Sequence, residues 1–269
     1  MSEDPKKYLW FTDTHLDAAS PWAIFSFLKT LKQEKPAGIF LTGDISNGIL
    51  TCFHLKMLAK TVDCPIYFVL GNHDIWFSSF EERYQQIRDL CKEYPNLIWM
   101  SEADVTALND EVAIIGTDGW YDAEIGEPKY LKYSLDQFLI QDIRKLPYLD
   151  SKIEKFRSLA DISCKQLINK LEKALELDYK TVYILTHMPP WKEATRDESS
   201  LLKDFWLPYN TNIRLGNAIE EVMQSRKKRN VVVLSGHTHH PEFIRISRNI
   251  HCQVGKAEIG KIKSQWIYI

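Results

Sequence analysis

The 269-residue sequence lacks the features that mark membrane-spanning and disulfide-rich proteins. Its five cysteines, at positions 52, 64, 91, 164 and 252, are odd in number and form no C-x-x-C pair, which argues against a disulfide framework and for a reducing compartment. No apolar run approaches the length of a membrane span, and the first seven residues lack the apolar segment of a signal peptide. We therefore expect a cytoplasmic protein with no membrane partner.

The sequence also lacks an extended basic tract. The formal net charge is −2, and the one tight cluster, Arg226-Lys227-Lys228-Arg229, precedes an apolar run as a solvated helix end does. This disfavours an extended nucleic acid as partner. Because no linker, repeat or low-complexity tract divides the chain, a single domain spanning residues 1–269 is the simplest interpretation.

What the sequence does contain is an alternation of strand-like and helix-like segments. Strands are predicted at 8–12, 38–42 and 66–70, with helices at 21–32 and 50–60, the first of them capped by Ser20 before Pro21. This rhythm predicts parallel strands joined by right-handed crossovers. Further helices are predicted at 79–94 and, as one long or two shorter helices, at 151–177. The remaining predicted strands lie at 96–100, 112–116, 181–185 and 230–234, with short strands in the tail.

Residues 120–160 have no strong periodicity and contain many aromatic and charged side chains. We interpret this segment as an insertion or cap within the domain.

Five short motifs each follow a predicted strand. Because ligands bind at the carboxyl ends of the strands of a parallel sheet, residues far apart in the sequence are expected to converge there. The motifs are Asp13-Thr14-His15, Gly43-Asp44, Gly71-Asn72-His73-Asp74, Thr186-His187 and Gly236-His237-Thr238-His239.

These residue types predict a site for two metal ions. Asp13 and His15 alternate, so in extended chain they point the same way and can grip one ion, and the two carboxylate oxygens of Asp44 could bridge two ions. Paired metals suit phosphoryl hydrolysis, because they bind phosphate oxygens, activate a bridging water and stabilise the leaving oxygen. Imidazole, carboxylate and amide ligands fit Mn, Fe or Zn better than Ca or Mg, and we favour Mn. The absence of cysteine ligands argues against a structural zinc site.

The ordered motif set, from residue 13 to residue 239, resembles the calcineurin-like metallophosphoesterase family. The resemblance implies an α/β fold, a four-layer α-β-β-α sandwich of two mixed sheets with flanking helices. It implies a phosphate-ester hydrolase with a metal-bridging hydroxide as nucleophile. The first metal would be held by Asp13, His15 and His239, and the second by Asn72, His187 and His237, with Asp44 as the bridge. His73 would contact the phosphate or protonate the leaving group, and Asp74 would hydrogen-bond His73.

The sequence departs from the Ser/Thr protein phosphatases of this superfamily. Ile45-Ser46-Asn47 stands where they have Tyr-Val-Asp-Arg-Gly, and Asp74 replaces their Glu. The missing arginine would have clamped a phosphate bidentately, so a phosphoprotein phosphatase of that type is disfavoured. His187-Met188-Pro189-Pro190 and the Gly-His-Thr-His motif resemble the phosphodiesterase and small-molecule branches. The predicted substrate is a small phosphomonoester or phosphodiester, with a nucleotide-like molecule among the options.

Two other functions stay open: a nuclease of the same superfamily, and a non-catalytic scaffold with the same fold. Trp76, Trp120 and Trp191 follow strand-end loops and either line the pocket or, as we favour, pack beneath the loops. The other histidines are weaker candidates: His54 as a structural residue, His240 as a ligand and His251 as outer support. Positive charge for a phosphate could come from Lys129, Lys132, Arg144 or, as the best candidate, Arg196.

Overall fold

The computed structural model describes residues 5–195 and 203–269, and its strands form two sheets. The strands are β1 (Lys7–Phe11), β2 (Gly38–Thr42), β3 (Ile66–Val69), β4 (Leu97–Trp99), β5 (Thr106–Ala107), β6 (Val112–Gly116), β7 (Thr181–Leu185), β8 (Asn230–Ser235), β9 (Glu242–Arg245), β10 (Ile250–Val254) and β11 (Gln265–Tyr268). The first sheet has the order β11-β1-β2-β3-β4 and the second the order β5-β6-β7-β8-β10-β9. Both sheets are mixed, because β11, β5 and β9 run antiparallel to their neighbours while the inner pairs are parallel.

Helices connect most of the parallel strands. The α-helices are α1 (Pro21–Glu34), α2 (Thr51–Ala59), α3 (Asn72–Ile75), α4 (Phe80–Glu93), α5 (Asp136–Leu139), α6 (Gln141–Arg144), α7 (Leu149–Glu176), α8 (Lys203–Trp206) and α9 (Ile213–Gln224). Short 3₁₀ helices lie at Pro128–Tyr133, Lys192–Thr195 and Leu207–Tyr209.

The strands of the first sheet are apolar on both faces, and each face packs into a hydrophobic core. On β1, Tyr8 and Trp10 lie between the sheets in one core with Leu185 of β7. Leu9 and Phe11 point to the opposite face, into the core formed with the helices that follow β1, β2 and β3. This alternation is the two-residue period of a strand, with both faces buried because each face meets another layer.

The outer face of the second sheet is covered by α7 and α9. Val182 and Ile184 of β7 pack with Leu171 of α7 and Ile219 of α9 in a third core. The order of layers is therefore helices, first sheet, second sheet, helices. The predicted four-layer α-β-β-α sandwich of two mixed sheets is confirmed.

The start of α1 follows the predicted capping signal. Ser20 has extended backbone and its Oγ accepts a hydrogen bond from the Ala23 amide at 3.2 Å, with Pro21 in the first turn of α1. Ser79 caps α4 in the same way through the amide of Glu82. The segment after residue 148 forms one continuous helix of 28 residues, α7. Within the described ranges, no helix combines the length and apolar character needed to cross a membrane.

Residues 120–160 contribute short helices and the first part of α7 rather than strands. Trp120 and Tyr121 are buried against Phe156 of α7, with ring centroids 6.0 Å and 4.4 Å apart. This packing holds the intervening residues beside the carboxyl end of the first sheet. That the segment is an insertion or cap stays a prediction.

Candidate metal centre

The motifs lie at strand ends where the backbone is tight and left-handed. Five residues with ligand-type side chains have positive φ angles: Asp13 (46°), His15 (37°), Asp44 (48°), His237 (71°) and His239 (61°). Residues other than glycine seldom adopt this conformation, and such strain is concentrated at functional sites. These strained backbone conformations direct the five side chains toward one point.

The glycine that precedes Asp44 is required by its neighbours. Gly43 has φ +88°, and a Cβ atom there would lie 2.5 Å from His187 Nδ1 and 2.7 Å from the Gly71 amide nitrogen. Only a residue without a side chain allows β2, β3 and the His187 loop to approach this closely.

One group of side chains comes from β1 and β8. His239 Nε2 lies 3.3 Å from Asp13 Oδ1 and 3.3 Å from His15 Nε2. One donor atom from each of Asp13, His15 and His239 lies within 4.8 Å of the others, close enough for a single ion. Both Asp13 oxygens also accept from the His237 amide at 3.0 Å, and Thr12 donates to Oδ2, which fixes the carboxylate.

A second group joins the two sheets. His187 Nε2 lies 3.4 Å from Asp44 Oδ2 and 3.1 Å from Asn72 Oδ1. Asp44, His187 and His237 form another cluster whose donor atoms lie within 4.8 Å of one another.

Asp44 lies between the groups. Its Oδ2 is 3.9 Å from His15 Nε2 and 3.4 Å from His187 Nε2, while its Oδ1 accepts from the His73 amide at 2.9 Å. The structure thus brings together all seven predicted ligands, with Asp44 central as the resemblance implied.

Hydrogen bonds fix which imidazole nitrogens are free for a metal. His187 Nδ1 lies 2.8 Å from the carbonyl oxygen of Thr42, so Nδ1 carries a hydrogen and Nε2, once deprotonated, is the nitrogen that a metal can take. His237 Nε2 faces the Tyr209 carbonyl oxygen at 2.9 Å and Asn210 Oδ1 at 3.1 Å. Nε2 therefore carries the hydrogen that these oxygens accept, and Nδ1 is the nitrogen of His237 whose lone pair is available to a metal.

The electrostatics of the pocket fit a cation. Burial disfavours protonation of His187, but the carboxylates of Asp44 and Asp13 outweigh it and raise the pKa of the imidazole to about 10. Burial and the neighbouring His187 lower the pKa of His237 to about 4, so this ring is neutral at pH 7. A buried field that favours positive charge beside neutral nitrogen donors is the environment in which a divalent metal binds.

His73 faces the pocket. Its side chain is 29% exposed, and its Nε2 lies 3.8 Å from Asp44 Oδ2. The ring stacks on Trp76 with centroids 3.5 Å apart, and it meets His15 edge-on at 4.8 Å. His73 also falls within ligand distance of His15 and Asp44, so a non-ligand role is an expectation from the family resemblance rather than from the distances.

The environment of Asp74 differs from the prediction that this residue hydrogen-bonds His73. Its carboxylate accepts from the amides of Gly71, Ile45 and Ser46 at 2.9, 3.2 and 3.1 Å, and from Thr51 Oγ1 at 2.9 Å. Among the described residues its partners do not include His73. Consecutive side chains on a helical turn point about 100° apart, so Asp74 turns into the protein while His73 turns to the pocket. Burial and the nearby Asp44 raise the pKa of Asp74 to about 7.

Asp136 is a site residue that the sequence did not indicate. It is 2% exposed, and it accepts hydrogen bonds from Asn72 Nδ2 at 2.9 Å and from Trp76 Nε1 at 2.7 Å. A carboxylate in an aperiodic segment carries no motif, so only the fold places it beside Asn72.

A second unexpected group lies beneath the site. Asp118 accepts from the Leu70 amide at 2.7 Å and its own carbonyl accepts from the His187 amide at 3.1 Å. Lys170 of α7 donates to the carbonyl oxygens of Met100, Ser101 and Gly116. These contacts tie together the strand ends of both sheets behind the candidate ligands.

A cavity of about 600 Å³ opens in front of the ligands. Asn72, His73, His237 and His239 line part of it, and much of the remaining lining is aromatic and aliphatic. That aromatic and aliphatic part, called here the apolar lining, comprises Trp76, Tyr133, Leu135, Trp206, Leu207, Tyr209 and Ile259.

The three tryptophans singled out in the sequence have different environments. Trp76 lines the cavity. Trp120 is 3% exposed and Trp191 is 5% exposed, where its Nε1 donates to Glu220. The favoured interpretation, packing beneath the loops, holds for Trp120 and Trp191 but not for Trp76. Trp206 lines the cavity and was not predicted.

The structure also shows the surroundings of the three weaker histidine candidates. His54 is buried, and its Nδ1 lies 2.9 Å from Ser46 Oγ, a structural contact as predicted. His240 lines the cavity but belongs to none of the ligand clusters of the described residues. His251 stacks on Phe243 with centroids 5.9 Å apart.

The basic candidates within the described residues do not line the cavity. Lys129 pairs with Glu127 and Lys132 lies over the Tyr133 ring, and neither of these lysines nor Arg144 lines the cavity. Arg196 lies outside the described residues.

Ligand-type side chains gathered at the strand ends of a four-layer sandwich are the arrangement of a dimetal phosphoesterase. Residues 6–241 match the family model described as calcineurin-like phosphoesterase, so the chain belongs to that family. The resemblance read from the motifs is therefore confirmed, and the family generally consists of hydrolases that bind divalent metals.

Solved structures share the fold at low sequence identity. Phosphopantetheinyl hydrolase of Mycobacterium tuberculosis superposes with a TM-score of 0.65 at 13% identity, covering 97% of this chain and 92% of that one. A dimetal phosphatase of Danio rerio gives a TM-score of 0.62 at 12% identity, covering 99% and 93%. At these identities the likeness concerns the fold alone.

A curated relative is an uncharacterized protein of Acanthamoeba polyphaga mimivirus, 24% identical over 159 residues. The match covers 56% of this chain and 54% of that protein, so the chain spans about half the length of the curated relative.

Proposed function

We propose that this protein is a dimetal hydrolase of small phosphate esters whose leaving group has an apolar or aromatic portion. The observation that carries the proposal is one cavity lined both by candidate metal ligands and by apolar side chains. Asn72, His73, His237 and His239 line it, the other candidate ligands cluster with them, and the apolar lining completes the same cavity.

The metal ligands are proposed residue by residue. Asp13, His15 and His239 would hold one ion, Asn72, His187 and His237 the other, and Asp44 both. Two divalent ions bound here would supply Lewis acidity to the phosphate oxygens and acidify a water for attack on phosphorus. Manganese is the favoured ion, with iron and zinc as alternatives for the same nitrogen and oxygen donors.

His73 is proposed to act on the phosphate or on the leaving oxygen. Its ring stands at the cavity beside Asp44, with one face stacked on Trp76. The stacked indole restricts rotation of the imidazole, which stays 29% exposed at the cavity, where a substrate can meet it. A positioned imidazole of this kind can hydrogen-bond a phosphate oxygen or transfer a proton to the departing alcohol.

The shape and composition of the cavity support a small substrate. A volume of about 600 Å³ suits a molecule of drug-like size rather than a polymer. Tyr133, Leu135 and Trp206 are 54%, 56% and 45% exposed, and all three line the cavity. Exposed aromatic and aliphatic side chains beside a metal centre provide a stacking surface for the organic part of an ester.

Metal analysis combined with a matched substrate panel tests the proposal. The purified protein is expected to bind two Mn²⁺ ions and to hydrolyse 1-naphthyl phosphate with a higher kcat/KM than methyl phosphate. Including p-nitrophenyl phosphate and bis(p-nitrophenyl) phosphate decides between monoester and diester preference. Asp44→Asn is the control, because it removes charge from both ligand groups. Absence of hydrolysis across the panel with two metals bound would support the scaffold alternative.

The nuclease alternative is tested by a separate binding and cleavage experiment. Fluorescently labelled single-stranded DNA is titrated into the Mn²⁺-loaded protein at two salt concentrations. Tight, salt-sensitive binding with cleavage would replace the proposed small substrate by a nucleic acid.

The role of His73 is tested by His73→Ala. Removing a positioned acid or base is expected to lower kcat by about 10²–10⁴-fold while two metal ions remain bound. His251→Ala, which changes a histidine stacked on Phe243, is the control for losing one imidazole. If His73→Ala loses a metal ion instead, the residue is a ligand and the proposed assignment is wrong.

A further inference from the structure

We infer that Asp136 is a positioning residue that fixes the orientation of the metal ligand Asn72 and, through Trp76, that of His73. The inference rests on the proposed dimetal site but assigns to residues 120–160 a function that the family motifs do not. Asp136 begins α5, on the part of the chain that borders the cavity.

Asp136 determines which end of the Asn72 amide faces the metal. Asn72 Nδ2 donates to Asp136 Oδ1 at 2.9 Å, which turns Asn72 Oδ1 toward His187 Nε2 at 3.1 Å. A metal binds the oxygen of an amide and not its nitrogen, so the reverse orientation would present two N–H groups to the ion. A carboxylate only accepts hydrogen bonds when ionised, and it therefore selects the orientation in which Asn72 can act as a ligand.

Oδ1 of Asp136 also binds Trp76, the side chain on which His73 stacks. Trp76 Nε1 donates to Asp136 Oδ1 at 2.7 Å, and the Trp76 ring stacks on His73 with centroids 3.5 Å apart. A single carboxylate oxygen is thus bonded to a proposed ligand of one metal and to the support of the proposed catalytic imidazole.

The other oxygen of Asp136 is anchored to its own segment. Oδ2 accepts from Tyr121 Oη at 3.1 Å and from Ser134 Oγ at 3.1 Å. Tyr121 is fully buried against Phe156 of α7, so the carboxylate is held by the packed core of the segment. The orientation of Asn72 is in this way coupled to the folding of residues 120–160.

The four groups that donate to Asp136 differ in whether they can also accept a hydrogen bond, and two variants of Asp136 exploit this difference. Asn72 Nδ2 and Trp76 Nε1 can only donate, whereas the hydroxyls of Tyr121 and Ser134 can also accept. Asp136→Asn can therefore place its oxygen toward Asn72 and Trp76 and its amide toward the hydroxyls. Asp136→Leu has a similar volume but offers no acceptor.

The experiment is a titration of the metal-free protein with Mn²⁺, followed by isothermal calorimetry. Loss of a hydrogen-bond partner of a metal ligand commonly lowers metal affinity by about 10–100-fold. Asp136→Leu is expected to weaken one Mn²⁺ equivalent by this factor and to leave the other unchanged. Asp136→Asn is expected to keep the affinity of the wild-type protein for both ions. Equal affinities for both ions in a folded Asp136→Leu protein would overturn the inference.

Asp122→Leu is the matched control for loss of a buried carboxylate from the same segment. Asp122 is buried and accepts from the amides of Arg214 and Glu124 at 2.8 and 3.0 Å, with no contact to the proposed ligands. This variant is expected to be less stable but to bind both ions as the wild-type protein does. A matching loss of one Mn²⁺ equivalent in Asp122→Leu would mean that any damage to the segment weakens the site, and it would also overturn the inference.

A milder variant keeps the test decisive if Asp136→Leu does not fold. Tyr121→Phe combined with Ser134→Ala removes both anchors of Oδ2 and leaves the carboxylate in place. One Mn²⁺ equivalent should again be weakened, and unchanged binding would count against the inference. Failure of the wild-type protein to bind two ions would instead refute the proposed dimetal site, so the two failures are distinguishable.

Discussion

Asp74 acts on the backbone of the loops that present the ligands. It accepts from three backbone amides, two of them in the loop after β2 and one at the start of the loop after β3. By fixing residues 45–46 against Gly71, it sets the spacing between Asp44 and Asn72. Asp74 was expected to hydrogen-bond His73, but in the structure it connects the loops that follow β2 and β3.

Replacing Asp74 by alanine is expected to destabilise the protein strongly. Each buried donor left without a partner costs about 1–3 kcal/mol, and three amides are affected, so the free energy of unfolding should fall by at least about 3 kcal/mol. Thr51→Val removes only the hydroxyl donor and should cost about 1 kcal/mol. Urea unfolding followed by circular dichroism measures both. An Asp74→Ala protein with unchanged stability and abolished turnover would instead support a direct catalytic role.

At the scale of elements, the junction between β2 and the loop after it has no room for a side chain at Gly43. Gly43 and Gly260 have almost the same φ angle, +88° and +82°, but different surroundings. A Cβ atom at Gly43 would overlap His187 and Gly71, whereas at Gly260 the nearest atom is the Ala18 carbonyl oxygen at 3.6 Å. The pair separates the cost of the backbone conformation from the cost of crowding.

Gly260→Ala is expected to cost about 1–2 kcal/mol, the penalty of a left-handed conformation for a residue with a Cβ atom. Gly43→Ala should cost several times more and should lower the metal content, because His187 must move away from Asp44. Chemical denaturation and metal analysis of both variants check this. Equal losses of stability would show that crowding at Gly43 is relieved without displacing His187.

The sequence allowed prediction of the elements whose residues carry a local pattern. β2 was predicted with its observed boundaries because an apolar run ends at Gly43-Asp44. The convergence of the motif residues followed from the rule that ligands bind at the carboxyl ends of parallel strands. The environment of Asp136 was beyond prediction, because it depends on how Trp120 and Tyr121 pack against Phe156, which lies 36 and 35 positions further along the chain. The partners of Asp74 were also beyond prediction, because they depend on the direction of the side chain within α3, a single turn, and on the loops that pack around it.

At the scale of the whole molecule, Lys170 links α7 to the strand ends of both sheets. Burial lowers the pKa of Lys170 to about 8, although the carboxylates of Asp118 and Asp104 oppose the shift. Between about pH 8 and the ordinary value of 10.5, the unfolded chain retains a proton that the folded chain has released. The contribution of Lys170 to stability therefore rises with pH in this window and is at its minimum below it.

Comparing the wild-type protein with Lys170→Met isolates this contribution from other titrating groups. The difference in unfolding free energy, wild type minus variant, is expected to increase between pH 8 and pH 10. Lys165→Met, a change at an exposed position of the same helix, should give no such trend. Denaturant titrations at several pH values supply the measurement, and parallel stability curves for wild type and Lys170→Met would contradict the prediction.

The proposed metals should stabilise the whole fold, because their ligands come from both sheets. A ligand that binds only the folded state adds about 2.7 kcal/mol when present at 100 times its dissociation constant. Chelation is therefore expected to lower Tm, and adding Mn²⁺ should restore it. Asp44→Asn should respond much less to either treatment. A Tm that is unchanged after verified removal of metal would show that the site does not couple the sheets.

The order of the strands along the chain has a practical consequence. A break at residues 102–104, between β4 and β5, would divide the protein into a fragment with Asp13, Asp44 and Asn72 and a fragment with His187 and His237. Neither fragment has a complete set of donors for either ion, and the second also contains β11, the strand that pairs with β1. Hydrolysis by a mixture of the two fragments would then report their reassembly, which makes the molecule a candidate split reporter switched on by association.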